Sequence, residues 1–152
     1  MGSVLAAPFV DFVYFCPLYR HTVLTMAMFN NSGLPGGIHG DVLNATPTEP
    51  DDVARLVEEI KGRAKNSIKY GNFPESIQLY TKAIELLPTN AILYANRSMC
   101  HCTMGSTDSA VKDAEKATEL DPSYPKGYYR LGSAHFKAGN YVEAKASLEK
   151  GL

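Results

Sequence analysis

A step of 34 residues recurs through the second half of this chain, and it narrows the available folds more than any other feature. Gly71, Gly105 and Gly139 keep that step, as do Ile60, Tyr94 and Tyr128, and Ser76, Ala110 and Ala144. Ala83 pairs with Ala117, and Pro88 with Pro122, at the same interval. Five columns in one register mark a repeating unit, and apolar residues inside it recur at helical spacing with no convincing strand-like alternation. Each column has a physical reading. Small residues at Ser76, Ala110 and Ala144 let the second helix of a unit approach the first, and Ala83 and Ala117 do the same for the next unit. The glycines fall where a helix must stop and reverse. Pro88 and Pro122 close the second helix, which they cannot continue. Tyr80, Ile84, Leu120, Leu131 and Phe136 are expected to fill the space between layers.

These signals predict helices over 52–70, 74–87, 91–104, 107–120, 124–138 and 141–152, grouped as repeats 57–90, 91–124 and 125–152. The expected fold class is all-α: a right-handed superhelical array of antiparallel helix pairs, about three repeats long, the last incomplete. A solenoid of this kind normally ends in a polar cap. None follows the third repeat, so the reading is either a fragment of a longer protein, which is favoured, or an end that self-associates. The repeat domain is placed at 51–152. Residues 1–50 are expected to be a low-order segment and linker, because Asn30 to Pro50 is rich in Asn, Ser, Gly, Pro and Thr. Its glycines precede no Gly-Lys-Ser/Thr and follow no strand, so they do not make a phosphate loop.

The chain has 152 residues, enough for one ordinary domain and a tail. A net charge of -1 excludes a protein built to coat nucleic acid. Three cysteines, an odd number without framework spacing, point to reduced thiols and a cytoplasmic location rather than a disulfide-stapled secreted domain. Asp11, Arg20, Pro8 and Pro17 interrupt the apolar N-terminal stretch. No run there reaches the ~20 apolar residues of a membrane span. No Lys or Arg precedes Arg20 to make a signal-peptide n-region, and Ala6 stands where a myristoylation signal needs Ser or Thr.

In a stack of helix pairs the first helix of each pair lines the concave face, so binding chemistry is sought there. The first helices offer Lys61 with Lys65, then Asn96, then Lys126 with Arg130. Each cationic pair is spaced i, i+4 and shares a helix face. Like charges at that spacing cost a few tenths of a kcal/mol. Two such pairs facing across a groove imply a missing anion. Arg130 can grip a carboxylate with two parallel hydrogen bonds, the lysines act as point charges, and Asn96 donates without adding charge. A peptide's terminal carboxylate with an acidic side chain suits that set.

The segments Asn96-Arg97-Ser98, Pro125-Lys126-Gly127-Tyr128-Tyr129-Arg130-Leu131-Gly132 and Glu149-Lys150-Gly151-Leu152 resemble the tetratricopeptide repeat (TPR) domains of heat-shock co-chaperones. The similarity is greatest to the first such domain of the stress-inducible, chaperone-organising type. Small glutamine-rich co-chaperones and a TPR-containing phosphatase are also similar. The resemblance covers about residues 55–152. It implies a two-carboxylate clamp for the Glu-Glu-Val-Asp tail of cytosolic heat-shock chaperones of the seventy and ninety kilodalton classes. Lys61, Asn96, Lys126 and Arg130 match the clamp. Lys65 stands where the family has Asn, and either holds the same carboxylate with a charge or reshapes the pocket. The resemblance gives Lys61 and Asn96 the main-chain carboxylate, and gives Lys126 and Arg130 acidic or backbone oxygens further along. Tyr94, Tyr129 and Phe136 are packing residues or flank an apolar pocket.

Other chemistry is not favoured. Cys100 and Cys102 are two positions apart on a helix, about 200° around it, and so point away from a shared zinc ion. His135 has no nucleophile on its helix face, since Ser133 lies on another. Glu75, Glu85, Asp113, Glu115, Glu119 and Glu143 read as a solvated outer face. No catalytic constellation emerges, and no cofactor, metal or nucleic acid is expected. The leading function is therefore a co-chaperone adaptor. The alternatives are a regulatory domain of a phosphatase, isomerase or ubiquitin ligase, and a scaffold that self-associates through its uncapped end.

Overall fold

The computed structural model describes residues 39–152; the N-terminal features, Cys16 and the glycines from 33 to 37 among them, lie outside that range. The chain divides at Asp41/Val42 into two units, of which the second, 42–152, carries the repeats. After a single-turn helix α1 (Gly40–Leu43) come α2 (Pro50–Lys69), α3 (Phe73–Leu86), α4 (Ala91–Thr103), α5 (Thr107–Leu120), α6 (Pro125–Ala138) and α7 (Tyr141–Lys150). The ends fall within two residues of those expected from sequence. From α2 onward each helix packs on the next, and α4 also packs on α6. That neighbour pattern is a helical solenoid of stacked pairs.

Local chemistry sets the helix boundaries. Pro50 opens α2 and Pro125 opens α6, at positions where the missing N–H costs nothing. Asp51 and Asp52 lie in the first turn of α2, favourable for the helix dipole, and Lys69 lies in its last. Asn72 and Asn90 cap α3 and α4 by accepting from the backbone N–H of Glu75 and Ile92. At the three turn glycines φ is 78°, 80° and 83°. A β-carbon at any of them would meet nothing within 4 Å, so the backbone angle, not crowding, calls for glycine. Gly71, Gly105 and Gly139 donate to the carbonyls of Ile68, Cys102 and Phe136. The next residues, Asn72, Ser106 and Asn140, close onto Ser67, His101 and His135. This paired closure repeats in all three units.

The small-residue columns pack as read. Ser76, Ala110, Ala144, Ala83 and Ala117 are buried. A further column, Ala64, Ser98 and Gly132, meets the first of them. Ser76 Oγ donates to the Ala64 carbonyl at 3.1 Å, and Ser98 Oγ donates to the Ala110 carbonyl at 2.7 Å. The same helix contact is thus bonded from opposite sides in successive repeats. In the third, a β-carbon on Gly132 would lie 2.6 Å from Leu148 Cγ and 3.1 Å from the Ala144 carbonyl.

Three expectations are corrected. Phe136 is not interlayer filling: it is 63% exposed and meets Tyr141 edge-on, because no described helix covers that side of the last pair. Leu120 and Leu131 are only half-buried, whereas Tyr80 and Ile84 are core. Asp113 and Glu75 do not belong to a solvated outer face. Asp113 is buried at 7% exposure, and Glu75 is half-buried, accepting from Ser67 Oγ and Asn72 Nδ2. In addition, Val42 is buried in the same cluster as Leu56, Val57 and Ile60, with Leu43 and Ala45 packed against it. Apolar cover of the first repeat therefore begins ahead of residue 51. The large buried side chains, Ile60, Leu79, Tyr80 and Leu93, fill the first two repeats. The third buries mainly Gly127, Gly132, Ala134, Ala144 and Ser147.

Candidate functional site

Helices α2, α4 and α6 are the first members of the three pairs. Between α4 and α6 lies a shallow cleft of about 140 Å³, where Met99, Cys102 and Thr103 oppose Arg130, Ser133 and Lys137. Arg130 is thus the one residue of the expected clamp that lines it. The 34-residue register relates the other stations to this cleft. Asn96 and Arg130 occupy the same station on α4 and α6, and Gly62 holds it on α2, with open space around it. Lys65 shares its station with Met99 and Ser133, both cleft residues.

Lys61 is on α2, largely covered at 15% side-chain accessibility, and its Nζ donates to Glu58 Oε1 at 2.6 Å. Lys65 is exposed one turn further along, and no carboxylate among the described residues pairs with it. Asn96 is half-buried, and its amide makes no side-chain hydrogen bond among the described residues. Lys126 is exposed in the first turn of α6, the end of a helix that disfavours a cation. Arg130 is half-buried, its guanidinium 5.5 Å from the Tyr129 ring centroid. Its charge also reaches α4. Burial pushes the Cys100 thiol up to about 11, and the Arg130 charge acts against that rise. Tyr129 is exposed and Tyr94 half-buried; Tyr94 lies beneath Arg97, whose guanidinium carbon is 5.8 Å from its ring centroid.

Arg97 and Asp113 make a structural clasp that the sequence reading passed over. Arg97 Nε and Nη2 donate to the two Asp113 oxygens at 2.8 and 2.7 Å, joining α4 to α5. Nη1 donates to Thr81 Oγ1 at 3.1 Å on α3, so one guanidinium ties two repeats together. His101 Nε2 lies 3.9 Å from Asp113 Oδ2, and burial holds its pKa below the usual value. A signal existed: Asp113 is 34 residues past Leu79, a core position. Lys137 was also passed over. Its Nζ donates to the Cys102 carbonyl at 2.9 Å, near the C-terminal end of α4, where a cation is favourable. Cys100 and Cys102 diverge as expected, Cys100 into the cluster of Leu79 and Tyr80, Cys102 into that of Ala110 and Ala134. Among the described residues no group of three or more His, Cys, Asp or Glu is placed to hold a metal. No described helix is long and apolar enough to cross a membrane.

A family described as TPR repeat matches residues 101–139. Small glutamine-rich tetratricopeptide repeat-containing protein 2 of Saccharomyces cerevisiae is 40% identical over 115 residues, 74% of this chain and 33% of the relative. The Hsp70-Hsp90 organizing protein of Triticum aestivum is 39% identical over 97 residues, 64% of this chain and 17% of the relative. The chain thus spans about a third or less of the curated relatives it matches. Among solved structures, the second TPR of Spaghetti (RPAP3) bound to HSP90 peptide SRMEEVD superposes with a TM-score of 0.61 at 34% identity, covering 63% of this chain and 89% of that one. The second TPR domain of human RPAP3 in complex with HSP70 peptide SGPTIEEVD gives 0.63 at 33%, covering 66% and 83%. This chain belongs to the tetratricopeptide repeat family, among TPR domains similar to those of co-chaperones.

Proposed function

We propose that this chain is a non-catalytic, cytosolic adaptor domain that binds the acidic C-terminal tails of heat-shock chaperones of the seventy and ninety kilodalton classes. One observation carries the reading. Among the described residues, Lys65, Lys126 and Arg130 stand without carboxylate partners on the first helices of the two outer pairs, with the open amide of Asn96 on the middle one. Neighbouring cations left unpaired by the chain's own carboxylates are stabilised by a ligand that brings the anions. A tail ending in Asp offers two carboxylates on one residue and more on the glutamates before it. The α2 wall, which carries Lys61 and Lys65, would take the terminal carboxylate together with Asn96, and Lys126 and Arg130 the acidic oxygens beyond it. The matched TPR complexes hold peptides of that kind, and the relatives' names support the adaptor role. The working boundaries are 51–152, with repeats at 57–90, 91–124 and 125–152.

The test is titration of the chain with labelled Met-Glu-Glu-Val-Asp peptide, free and C-terminally amidated. The expected result is micromolar binding that weakens with salt and is lost on amidation or in Arg130→Ala. Equal affinity for the two peptides overturns the proposal. A second reading, self-association, is favoured by the exposed apolar surface of the last pair, where Val142 is 80% exposed beside Tyr141 and Phe136. Concentration-dependent mass in light scattering, absent in Val142→Lys, tests it.

A further inference from the structure

We infer that Lys65, not Lys61, is the cation that reads the terminal carboxylate of the bound tail, while Glu58 holds Lys61 in a positioning role. The inference rests on the reading of the groove as a carboxylate clamp. Lys61 is already engaged: its Nζ is 2.6 Å from Glu58 Oε1, and its side chain is largely covered. A carboxylate arriving at that ammonium meets the Glu58 carboxylate as well, so attraction to one charge is offset by repulsion from the other. Releasing Lys61 instead would reorder a largely covered four-carbon side chain and leave the Glu58 carboxylate, 72% exposed, charged beside the ligand. The Lys61–Glu58 station therefore presents little net charge to a ligand.

Lys65 has neither obstacle. It is exposed and has no ion-pair partner among the described residues, one helical turn further along, on the α2 station whose counterparts Met99 and Ser133 line the α4–α6 cleft. The register also shows what Glu58 does to the groove. Glu58, Ile92 and Lys126 are successive members of one column, so the station that carries a cation on α6 carries an anion on α2. With Glu58 cancelling Lys61, the cations left for a ligand are Lys65 on one wall and Lys126 and Arg130 on the other. A tail whose last residue is acidic has two carboxylates to divide between those walls. The chemical class selected is therefore a free-acid peptide ending in a carboxylate side chain, and its recognition at the α2 wall is ionic rather than a neutral amide contact.

The experiment measures affinity for the free and amidated Met-Glu-Glu-Val-Asp peptides in the full chain and in Lys65→Asn, Lys61→Met and Glu58→Gln, at low and physiological salt. Lys65→Asn is expected to weaken the free-acid peptide about tenfold, to shrink the acid-to-amide ratio, and to flatten the salt dependence. Lys61→Met should cost less than about threefold and leave the salt dependence intact, and Glu58→Gln should tighten binding by freeing Lys61. A chain that does not distinguish acid from amide overturns the groove reading and this inference together. A chain that does distinguish them, and still does so as Lys65→Asn while Lys61→Met abolishes the preference, overturns this inference alone.

Discussion

Removing the Asp113 carboxylate tests whether the clasp between repeats is an energetic keystone. In Asp113→Ala, Arg97 loses both of its charge-assisted bonds and keeps only Thr81. The Arg97 and Asp113 side chains are 18% and 10% accessible, so water restores little of what is lost. Breaking a buried pair from one side costs about 3–5 kcal/mol, and the residual access here lowers that to about 2–4 kcal/mol. For a domain of this size the loss corresponds to roughly 10–20 °C in Tm. Urea and thermal unfolding followed by circular dichroism would read both. The register supplies the control, because Leu79 and Leu131 occupy the stations of Asp113 and Arg97 in the neighbouring repeats. The double substitution Arg97→Leu/Asp113→Leu removes both charges and should recover most of the stability, since apolar replacements of buried pairs are often neutral or better. A loss below about 1 kcal/mol in Asp113→Ala, or a double variant no more stable than the single one, would refute the keystone role.

Three further outcomes are expected. Gly132→Ala gains up to about 1 kcal/mol of helix propensity but forces a β-carbon onto Leu148, costing about 1–3 kcal/mol; it should destabilise wild type and be neutral or stabilising in a Leu148→Ala background, measured as a double-mutant cycle. His101 has a folded pKa lowered by burial from 6.5, so the unfolded chain takes up the proton first. Stability should then be full above about pH 6.5 and fall as the pH drops toward the lower folded value, and unfolding curves of His101→Gln should lack that component. Cys100, buried with its thiol pushed up to about 11, should resist iodoacetamide at about pH 8 in the folded chain and react after denaturation, as read by mass spectrometry of its peptide.

Much of this protein is legible in the order of its residues because the repeat makes local rules count three times. Gly71, Gly105 and Gly139 take a left-handed backbone angle, which is a property of one residue in its own turn. The same holds for Pro50 and Pro125 at helix starts, for Asn72 and Asn90 at caps, and for the alanine and serine columns. The groove candidates are legible as spacing: Lys61 with Lys65, and Lys126 with Arg130, share helix faces by geometry alone. Whether Lys61 is free to bind is not, since that depends on which rotamer Glu58 adopts beside it.

Helices and turns follow from interactions within about four residues, and the 34-residue step repeats them, so residue order is enough to set all three. What each helix face meets is set by packing at a distance. Asp113 looks like any second-helix carboxylate until Arg97 arrives from 16 residues away and buries it. Phe136 looks like any core aromatic, yet it stays exposed because no described helix lies over it. Burial is a property of the neighbour as much as of the residue, and neighbours distant in the chain are brought together only by the stacking of the repeats.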